Sequence, residues 1–340
     1  MSEYLKTNIS VAYWCKRQDD TVDFQPAYIP AFIKDSNYFQ INDKSKNYVS
    51  WFDNLFDGGG IKISENGGKP TTLLITGPPG SGKTTLALEL CLRVAISHGF
   101  WSLYISTESE TQDLIKKVNS FKIEGSQNRI FPFDKNIGGI DPKNFLKALI
   151  IYGQENIKRW ETFTEILKMA LEDVSNWLFH FRGNLIKKII YKIFPSPRIP
   201  RISPNILVVD NLNMVAPEKR NDFFEKIVKR NYGNTKLIII ILDSYGENKS
   251  HGTWEFACDN IIKLDYSIIN LDSTSLRDYY IRNIEVVKAR NQAHIWGKQQ
   301  MKIYTSYKLP KSIGEENIAK IYRAHPYREE GGIFIYPSLH

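Results

Sequence analysis

Residues 77–84 read Gly-Pro-Pro-Gly-Ser-Gly-Lys-Thr, a complete G-x-x-x-x-G-K-[ST] phosphate loop. The glycines of this motif let backbone N–H groups close around phosphate oxygens, because no Cβ stands in the way. Lys83 is expected to reach the β- and γ-phosphates, and the Thr84 hydroxyl to ligate Mg²⁺. The loop predicts binding of a nucleoside triphosphate, held by Gly77, Pro78, Pro79, Gly80, Ser81, Gly82, Lys83, Thr84 and Thr85.

The segments on either side of the loop have the patterns that the motif requires. Thr72–Thr76 is a short apolar run of β type, and Leu86–Ala95 is an apolar run with a helical pattern. The phosphates would therefore lie at the N-terminus of a helix, where free N–H groups and the helix dipole favour anions. This context distinguishes the loop from a chance match in a glycine-rich turn.

Composition limits the class of protein. The chain has 340 residues, of which 42% are hydrophobic, enough for one large α/β domain with additions or for two smaller domains. The longest aliphatic run, Leu237–Leu242, is far shorter than the roughly 20 residues that span a bilayer. The N-terminus lacks an apolar signal core, and Cys15, Cys91 and Cys258 have no metal-ligand spacing. We expect a cytoplasmic protein without integral membrane association or structural zinc.

The net charge of +8 is concentrated in one basic segment. Neither Asp nor Glu occurs between Val174 and Val209, where the cations are Arg182, Lys187, Lys188, Lys192, Arg198 and Arg201. Aromatic residues are interleaved with them, namely Trp177, Phe179, Phe181, Tyr191 and Phe194. Such a segment fits a contact with nucleic acid, an anionic membrane surface or an acidic partner. The alternative is the solvated face of an inserted helix.

The pattern of elements predicts an α/β fold with a mainly parallel central sheet flanked by helices. Ile206–Asp210 and Lys236–Asp243 are continuous apolar runs, typical of central parallel strands buried on both faces. The other core elements are a helix in Trp51–Gly60, strands at Trp101–Ser106 and Asn128–Pro132, and a helix over Asp113–Phe121. An antiparallel C-terminal extension is predicted from the strand-like runs Asn260–Leu264, Tyr280–Lys288, Gln300–Thr305 and Ile333–Tyr336.

We divide the chain into an N-terminal extension, residues 1–47, and one core domain, residues 48–337. A helical insertion is expected at about 141–203, because Phe145–Ile151 and Trp160–Trp177 have helical patterns and no sheet core needs so long a connection. A shorter insertion is expected at about 306–329.

Two carboxylates are candidates for the chemistry that a phosphate loop needs. Asp210 ends a buried strand, at the edge of the sheet where α/β folds bind ligands, and would contact Mg²⁺. Glu108 follows the second strand at the same edge, and would orient or deprotonate the attacking water. Glu110 is expected to cap the next helix. The alternatives are that Asp210 caps a turn and that both glutamates are ordinary first-turn carboxylates.

The motifs resemble those of the RecA-like P-loop ATPases, and specifically the KaiC-like branch. The resemblance rests on the loop, on Trp51–Ile61 (WFDNLFDGGGI), on Tyr104–Ile115 (YISTESETQDLI), on Ile284–His294 (IEVVKARNQAH) and on the final GGIFIYP at 331–337. It covers roughly residues 48–140, 205–305 and 330–337, and it implies a RecA-like core that binds ATP and Mg²⁺.

The resemblance also implies roles for individual residues. Proteins of this branch carry two glutamates after the second strand, of which the first is the catalytic base; Glu108 matches the first, but Ser109 stands in the second place. Their Lys-x-Arg-Gly motif projects toward ATP in the neighbouring subunit; Lys288 and Arg290 match it, and Asn291 replaces the glycine. His294 lines the same interface or is a structural histidine.

The family forms rings, typically of six subunits, so the resemblance implies a homo-oligomer, most favoured with ATP-Mg²⁺. Three functions remain open. The first is a KaiC-like ATPase that acts as a nucleotide-controlled switch or regulatory scaffold, with a protein partner for residues 141–203. The second is a DNA-dependent RecA-type ATPase in repair, recombination or unwinding, contacting nucleic acid through residues 182–201. The third is an assembly module that binds ATP without hydrolysis.

Overall fold

The protein is represented by a computed structural model. It describes residues 4–5, 15–16, 22–23, 51–56, 60–63, 69–123, 126, 128–133, 147–156, 204–214, 235–244, 252–270, 278–304 and 332–336. Most of the predicted insertion at 141–203, all of that at 306–329, and the basic segment at 182–201 lie outside these residues, as does most of the N-terminal extension.

The described strands, numbered in chain order, have the following bounds: β1 Tyr4–Leu5, β2 Cys15–Lys16, β3 Val22–Asp23, β4 Ile61–Lys62, β5 Thr71–Gly77, β6 Ser102–Ser106, β7 Ile130–Pro132, β8 Leu149–Tyr152, β9 Ile206–Asp210, β10 Leu237–Asp243, β11 Asn260–Asn270, β12 Asp278–Ala289, β13 Gln299–Tyr304 and β14 Gly332–Tyr336. The described helices are α1 Trp51–Asn54, α2 Lys83–Ser97, α3 Thr111–Asn119 and α4 Gly252–Ala257, with short 3₁₀ turns at Gln154–Asn156 and Leu212–Met214.

A ten-stranded sheet forms the centre of the fold, in the order β14-β13-β12-β11-β5-β10-β9-β6-β8-β7. All neighbours from β11 to β7 are parallel, and β11 to β14 are joined as antiparallel neighbours. This confirms the predicted mainly parallel α/β core with an antiparallel C-terminal extension. Two small antiparallel pairs, β1 with β4 and β2 with β3, complete the described strands.

Strand register brings several polar residues to one edge of the sheet. Asp243 at the end of β10 pairs with Gly77 at the end of β5. Ser106 at the end of β6 pairs with Asp210 at the end of β9. Because these strands are parallel, their carboxyl ends meet at one edge, which is where open α/β sheets bind ligands.

The long helix α2 follows the phosphate loop and contacts β14, the strand at one end of the sheet. Its residues from Thr85 to Ala95 are buried, and they include a charged side chain, Glu89, with no exposed surface. The Glu89 carboxylate accepts hydrogen bonds from the Ile333 backbone N–H at 2.6 Å and from Arg93 Nε at 2.8 Å. A buried carboxylate needs such partners, and here it fixes strand β14 against α2.

One predicted helix is wrong. The pattern over Phe145–Ile151 predicts a helix, but Leu149–Tyr152 forms strand β8, buried and paired in parallel with both β6 and β7. A strand covered on both faces is a continuous apolar run, and its periodicity does not distinguish it from a short buried helix. The sheet therefore extends into the region assigned to the insertion. Among the residues described, no helix is long and apolar enough to cross a membrane.

Candidate active site

The phosphate loop lies at the carboxyl edge of the sheet, between β5 and α2, as predicted. Gly82 precedes α2 with φ of 106°, a backbone conformation that residues with a side chain rarely adopt. A Cβ there would lie 2.6 Å from Ile303 Cδ1. Gly80 has φ of 78° and open space where a Cβ would stand. Within the described part of the chain, the buried Ser81 hydroxyl has no hydrogen-bond partner. An open loop with an unsatisfied hydroxyl at a helix N-terminus fits a bound phosphate.

Lys83 points back into the loop and toward the neighbouring strand. Its Nζ donates to the Gly77 carbonyl at 3.0 Å and to the Pro78 carbonyl at 2.8 Å. It also forms a nearly buried ion pair with Asp243 Oδ1 at 2.6 Å. The ammonium group therefore lies between the loop and the end of β10, where a carboxylate balances its charge.

Asp210 forms a compact polar cluster with Thr84 and Tyr104. Its Oδ2 accepts from the Thr84 hydroxyl at 2.9 Å and from the buried Tyr104 hydroxyl at 2.5 Å. Burial raises the pKa of Asp210, and the hydrogen bonds from Tyr104 and Thr84 oppose that rise. Burial and the Asp210 charge hold the pKa of Tyr104 well above its usual range. A hydroxyl and a carboxylate in contact beside a phosphate loop are the hard oxygen ligands that Mg²⁺ prefers.

Glu108 lies at the same edge, linked to its neighbours by one amide. Asn211 Nδ2 donates to Glu108 Oε1 at 2.8 Å and to Asp243 Oδ2 at 2.6 Å. Partial burial and then the charges of Asp210 and Asp243 raise the pKa of Glu108, against the lowering effects of Asn211 and Lys83. A carboxylate with a raised pKa at a phosphate site has the properties of a general base.

Glu110 is the N-cap residue of helix α3, as predicted, and its carbonyl accepts from the Leu114 N–H. Its side chain makes no capping hydrogen bond. Both carboxylate oxygens of Glu155 accept instead from the Thr111 backbone N–H, at 3.2 and 3.1 Å. The turn after β8 brings Glu155 to this helix end, and the helix predicted over Phe145–Ile151 contains no such turn.

Lys288 and Arg290 lie toward the amino-terminal edge of the parallel strands, whereas the phosphate loop is at their carboxyl edge. Lys288 Nζ donates to the backbone carbonyls of Glu255 at 2.7 Å and Phe256 at 3.1 Å, at the C-terminal end of α4. Arg290 contacts Asp259 Oδ1 at 3.3 Å, and Asp259 in turn accepts from the Thr72 N–H at 3.0 Å. Thr72 is near the start of β5, about 16 Å along an extended strand from Gly77.

His294 follows Lys288 and Arg290 in the chain and has local partners. Its Nδ1 is 3.2 Å from the Ile295 carbonyl, and its ring centroid is 5.2 Å from that of Trp296. These contacts favour the structural alternative for His294. Trp296 and Phe256 are 81% and 80% exposed, and the Phe256 carbonyl accepts from both Lys288 and Arg290.

Three residues of the site were not identified from the sequence: Tyr104, Asn211 and Asp243. The signal that selected Asp210 was also present for Asp243, because both carboxylates end a continuous apolar strand. Asn211 follows Asp210 directly and was overlooked because it has no charge. Tyr104 lies in an apolar strand, where the sequence gives no sign that its hydroxyl meets Asp210.

Residues 45–128 match the family model described as "ATPase: KaiC". A solved structure, the KaiC-like protein PH0186 from the hyperthermophilic archaeon Pyrococcus horikoshii OT3, matches with 18% identity and a TM-score of 0.48, covering 85% of this chain and 96% of that one. No curated protein matches the chain. The match over residues 45–128 confirms the resemblance predicted from the motifs, to a RecA-like P-loop ATPase of the KaiC-like branch.

Proposed function

We propose that this chain binds ATP with Mg²⁺ and hydrolyses it at the interfaces between subunits of a ring, acting as a nucleotide-controlled switch or scaffold. The observation that supports hydrolysis most is the gathering of Lys83, Thr84, Asp210 and Glu108 at one edge of the sheet. Binding alone would need the loop and its lysine, whereas Glu108 beside them supplies a base for water.

Each group has a physical role in this proposal. The loop N–H groups and Lys83 hold the β- and γ-phosphates, as in other phosphate loops. Thr84 and Asp210 are the residues that would hold Mg²⁺, which neutralises charge on the phosphate oxygens when it is bound. Glu108 accepts a proton from the attacking water, or orients it, at a carboxylate oxygen. These assignments remain predictions about roles.

The position of Lys288 and Arg290 supports the proposal that a neighbouring subunit supplies the cations that act on the γ-phosphate. Lys288 is level with Leu74, about 10 Å along the sheet from Gly77, and Arg290 contacts Asp259 beside Thr72, about 16 Å from it. Both side chains donate to carbonyls at the end of α4, away from their own phosphate loop. A cation that reaches a neighbour's γ-phosphate stabilises the charge of the transition state. Hydrolysis would then depend on assembly, as a switch requires.

We expect ATP-Mg²⁺ to drive assembly of the 39.3 kDa chain into a ring of about six subunits. Light scattering after size-exclusion chromatography should give a mass about six times that of the chain with ATP-Mg²⁺, and a smaller mass without it. A Lys83→Ala variant, which loses its main contact to the phosphates, should stay at the smaller mass in both conditions. A monomer at all ATP concentrations would contradict the interface proposal.

The DNA-dependent alternative has no support among the described residues. The basic segment at 182–201 lies outside them, and so do residues 215–234 and 245–251, which come after β9 and β10 in the chain. We would therefore measure phosphate release with and without single-stranded DNA at modest salt. Stimulation that fades as salt rises would favour a DNA-dependent motor, and a rate that does not change with DNA would favour the switch.

A protein partner for residues 141–203 and the cytoplasmic location also stay predictions.

A further inference from the structure

Four side chains form a continuous chain of contacts across the candidate active site. Lys83 Nζ pairs with Asp243 Oδ1 at 2.6 Å, Asp243 Oδ2 accepts from Asn211 Nδ2 at 2.6 Å, and the same nitrogen donates to Glu108 Oε1 at 2.8 Å. One end of the chain is the lysine that meets the phosphates, and the other is the proposed base. Asn211 and Asp243 lie between these two ends and contact both of them.

The geometry of Asn211 allows only one orientation of its amide. A side-chain NH₂ has two hydrogens, and here each carboxylate can take one of them. The carbonyl end, Oδ1, accepts from the Asn213 backbone N–H at 2.9 Å. Turning the amide over would set Oδ1 against two carboxylates and the NH₂ group against an N–H donor. Asn211 is also 1% exposed, so water offers no substitute partners.

The backbone of Asn211 is fixed as firmly as its side chain. Its N–H donates to the Thr107 hydroxyl oxygen at 3.0 Å, and the Thr107 hydroxyl donates to its carbonyl at 2.8 Å. Thr107 is the residue before Glu108, so the same contacts hold the backbone that carries the base. Asn211 therefore bonds to Thr107 through its backbone and to Glu108 through its side chain.

Asp243 uses both of its oxygens, one on Lys83 and one on Asn211. A γ-phosphate in the loop requires Lys83 for itself, and its negative charge repels Asp243. When Lys83 turns to the phosphate, Asp243 keeps Asn211 as its remaining partner in this chain of contacts. Without the neutralising ammonium, more of the Asp243 charge acts on its hydrogen bond with Asn211, so the amide is held more firmly once nucleotide has bound.

We propose that Asn211 and Asp243 are positioning residues that hold Glu108 in place and link its position to the phosphate contact of Lys83. The part that concerns Glu108 rests on the proposed function, since it takes Glu108 as the base. In this arrangement Asp243 competes with the phosphate for Lys83 before nucleotide binds, and it anchors the amide afterwards. Asp243 therefore weakens nucleotide binding and supports turnover.

These opposite effects allow a sharp test with four variants of the full chain: Asn211→Ala, Asp243→Ala, Asp243→Asn and, as a control, Asp113→Asn. Asp113 is 66% exposed and pairs with Lys116 on the surface of α3. Affinity is measured with a fluorescent, non-hydrolysable ATP analogue in the presence of Mg²⁺, and turnover by phosphate release from ATP. The two measurements are independent, so affinity is obtained even for an inactive variant.

We expect both Asp243 variants to bind the analogue more tightly, by about fivefold, because the competing carboxylate is gone. Turnover in Asp243→Ala should fall at least about tenfold, and Asp243→Asn should recover part of it, since an amide oxygen still accepts from Asn211. Asn211→Ala should lose turnover to a similar extent with affinity unchanged within about twofold. A residue that only stabilised the fold would weaken binding and turnover together. Asp113→Asn should match the unmodified chain.

The inference is overturned if Asn211→Ala retains full turnover, or if the Asp243 variants bind the analogue more weakly. The Glu108→Gln variant, measured beside these, separates this result from the proposed function. If Glu108→Gln loses turnover while Asn211→Ala does not, the base is correct and the inference is wrong. If the unmodified chain releases no phosphate, the proposed hydrolysis fails, and the affinities of the Asp243 variants still decide whether Asp243 competes for Lys83.

Discussion

Replacement of Glu108 by glutamine should lower ATP turnover by about 10²–10³-fold, the range expected when a general base is removed. Glutamine keeps the size of the side chain and can still accept a hydrogen bond from Asn211, but it cannot take a proton from water. Glu108 is not among the residues proposed to bind the phosphates, so the dissociation constant for ATP-Mg²⁺ should change by less than about threefold. Phosphate release and binding of a fluorescent ATP analogue measure the two quantities.

The matched control is Glu110→Gln. Glu110 is also exposed and lies two residues further along, yet its side chain makes no capping bond to α3. Its replacement removes the same charge from the same region, and turnover should remain within about twofold of the unmodified chain. Equal turnover in Glu108→Gln and the unmodified chain would remove Glu108 from the mechanism.

The double variant Lys288→Ala, Arg290→Ala should lose turnover by about 10³-fold, the lower part of the range for cationic groups that reach a transferring phosphoryl group. Neither side chain lies near its own phosphate loop, so each subunit should still bind the ATP analogue. The measurement is again phosphate release beside analogue binding, at concentrations where the unmodified chain is assembled.

Removal of two cations near exposed aromatic residues also risks weaker assembly, so light scattering is recorded on the same samples. Lys298→Ala is the control, because Lys298 pairs with Asp265 at 3.0 Å in a half-exposed ion pair and has no proposed role in turnover. The account requires the double variant, but not Lys298→Ala, to lose turnover. Full turnover by the double variant in an assembled state would show that Lys288 and Arg290 are ordinary surface residues.

The sequence predicted most of the fold because the central strands have a strong signal. Ile206–Asp210 and Leu237–Asp243 are continuous aliphatic runs, and strands β9 and β10 have almost the predicted bounds. The phosphate-loop motif predicted strand β5 before it and helix α2 after it. Leu149–Tyr152 was misread because four apolar residues carry no periodicity of their own, and only pairing with β6 and β7 makes them a strand.

The candidate site was predicted as far as motifs and strand ends allow. Lys83, Thr84, Asp210 and Glu108 are where the sequence placed them, at the carboxyl edge of the parallel sheet. The contacts among them depend on strand order, which the sequence does not give. Asn211 meets both Glu108 and Asp243 only because β9 lies between β6 and β10. For the same reason the position of Lys288 relative to the loop could not be predicted.

The turnover of mixed oligomers shows whether hydrolysis takes place between subunits. Subunits with Glu108→Gln are co-expressed with subunits carrying Lys288→Ala and Arg290→Ala, each with its own affinity tag, and assemblies that hold both are isolated. Each variant alone should be inactive. In the mixture, about a quarter of the interfaces combine an intact base on one side with intact cations on the other. The account therefore predicts turnover near a quarter of that of the unmodified ring. Turnover at the level of the separate variants would contradict hydrolysis between subunits.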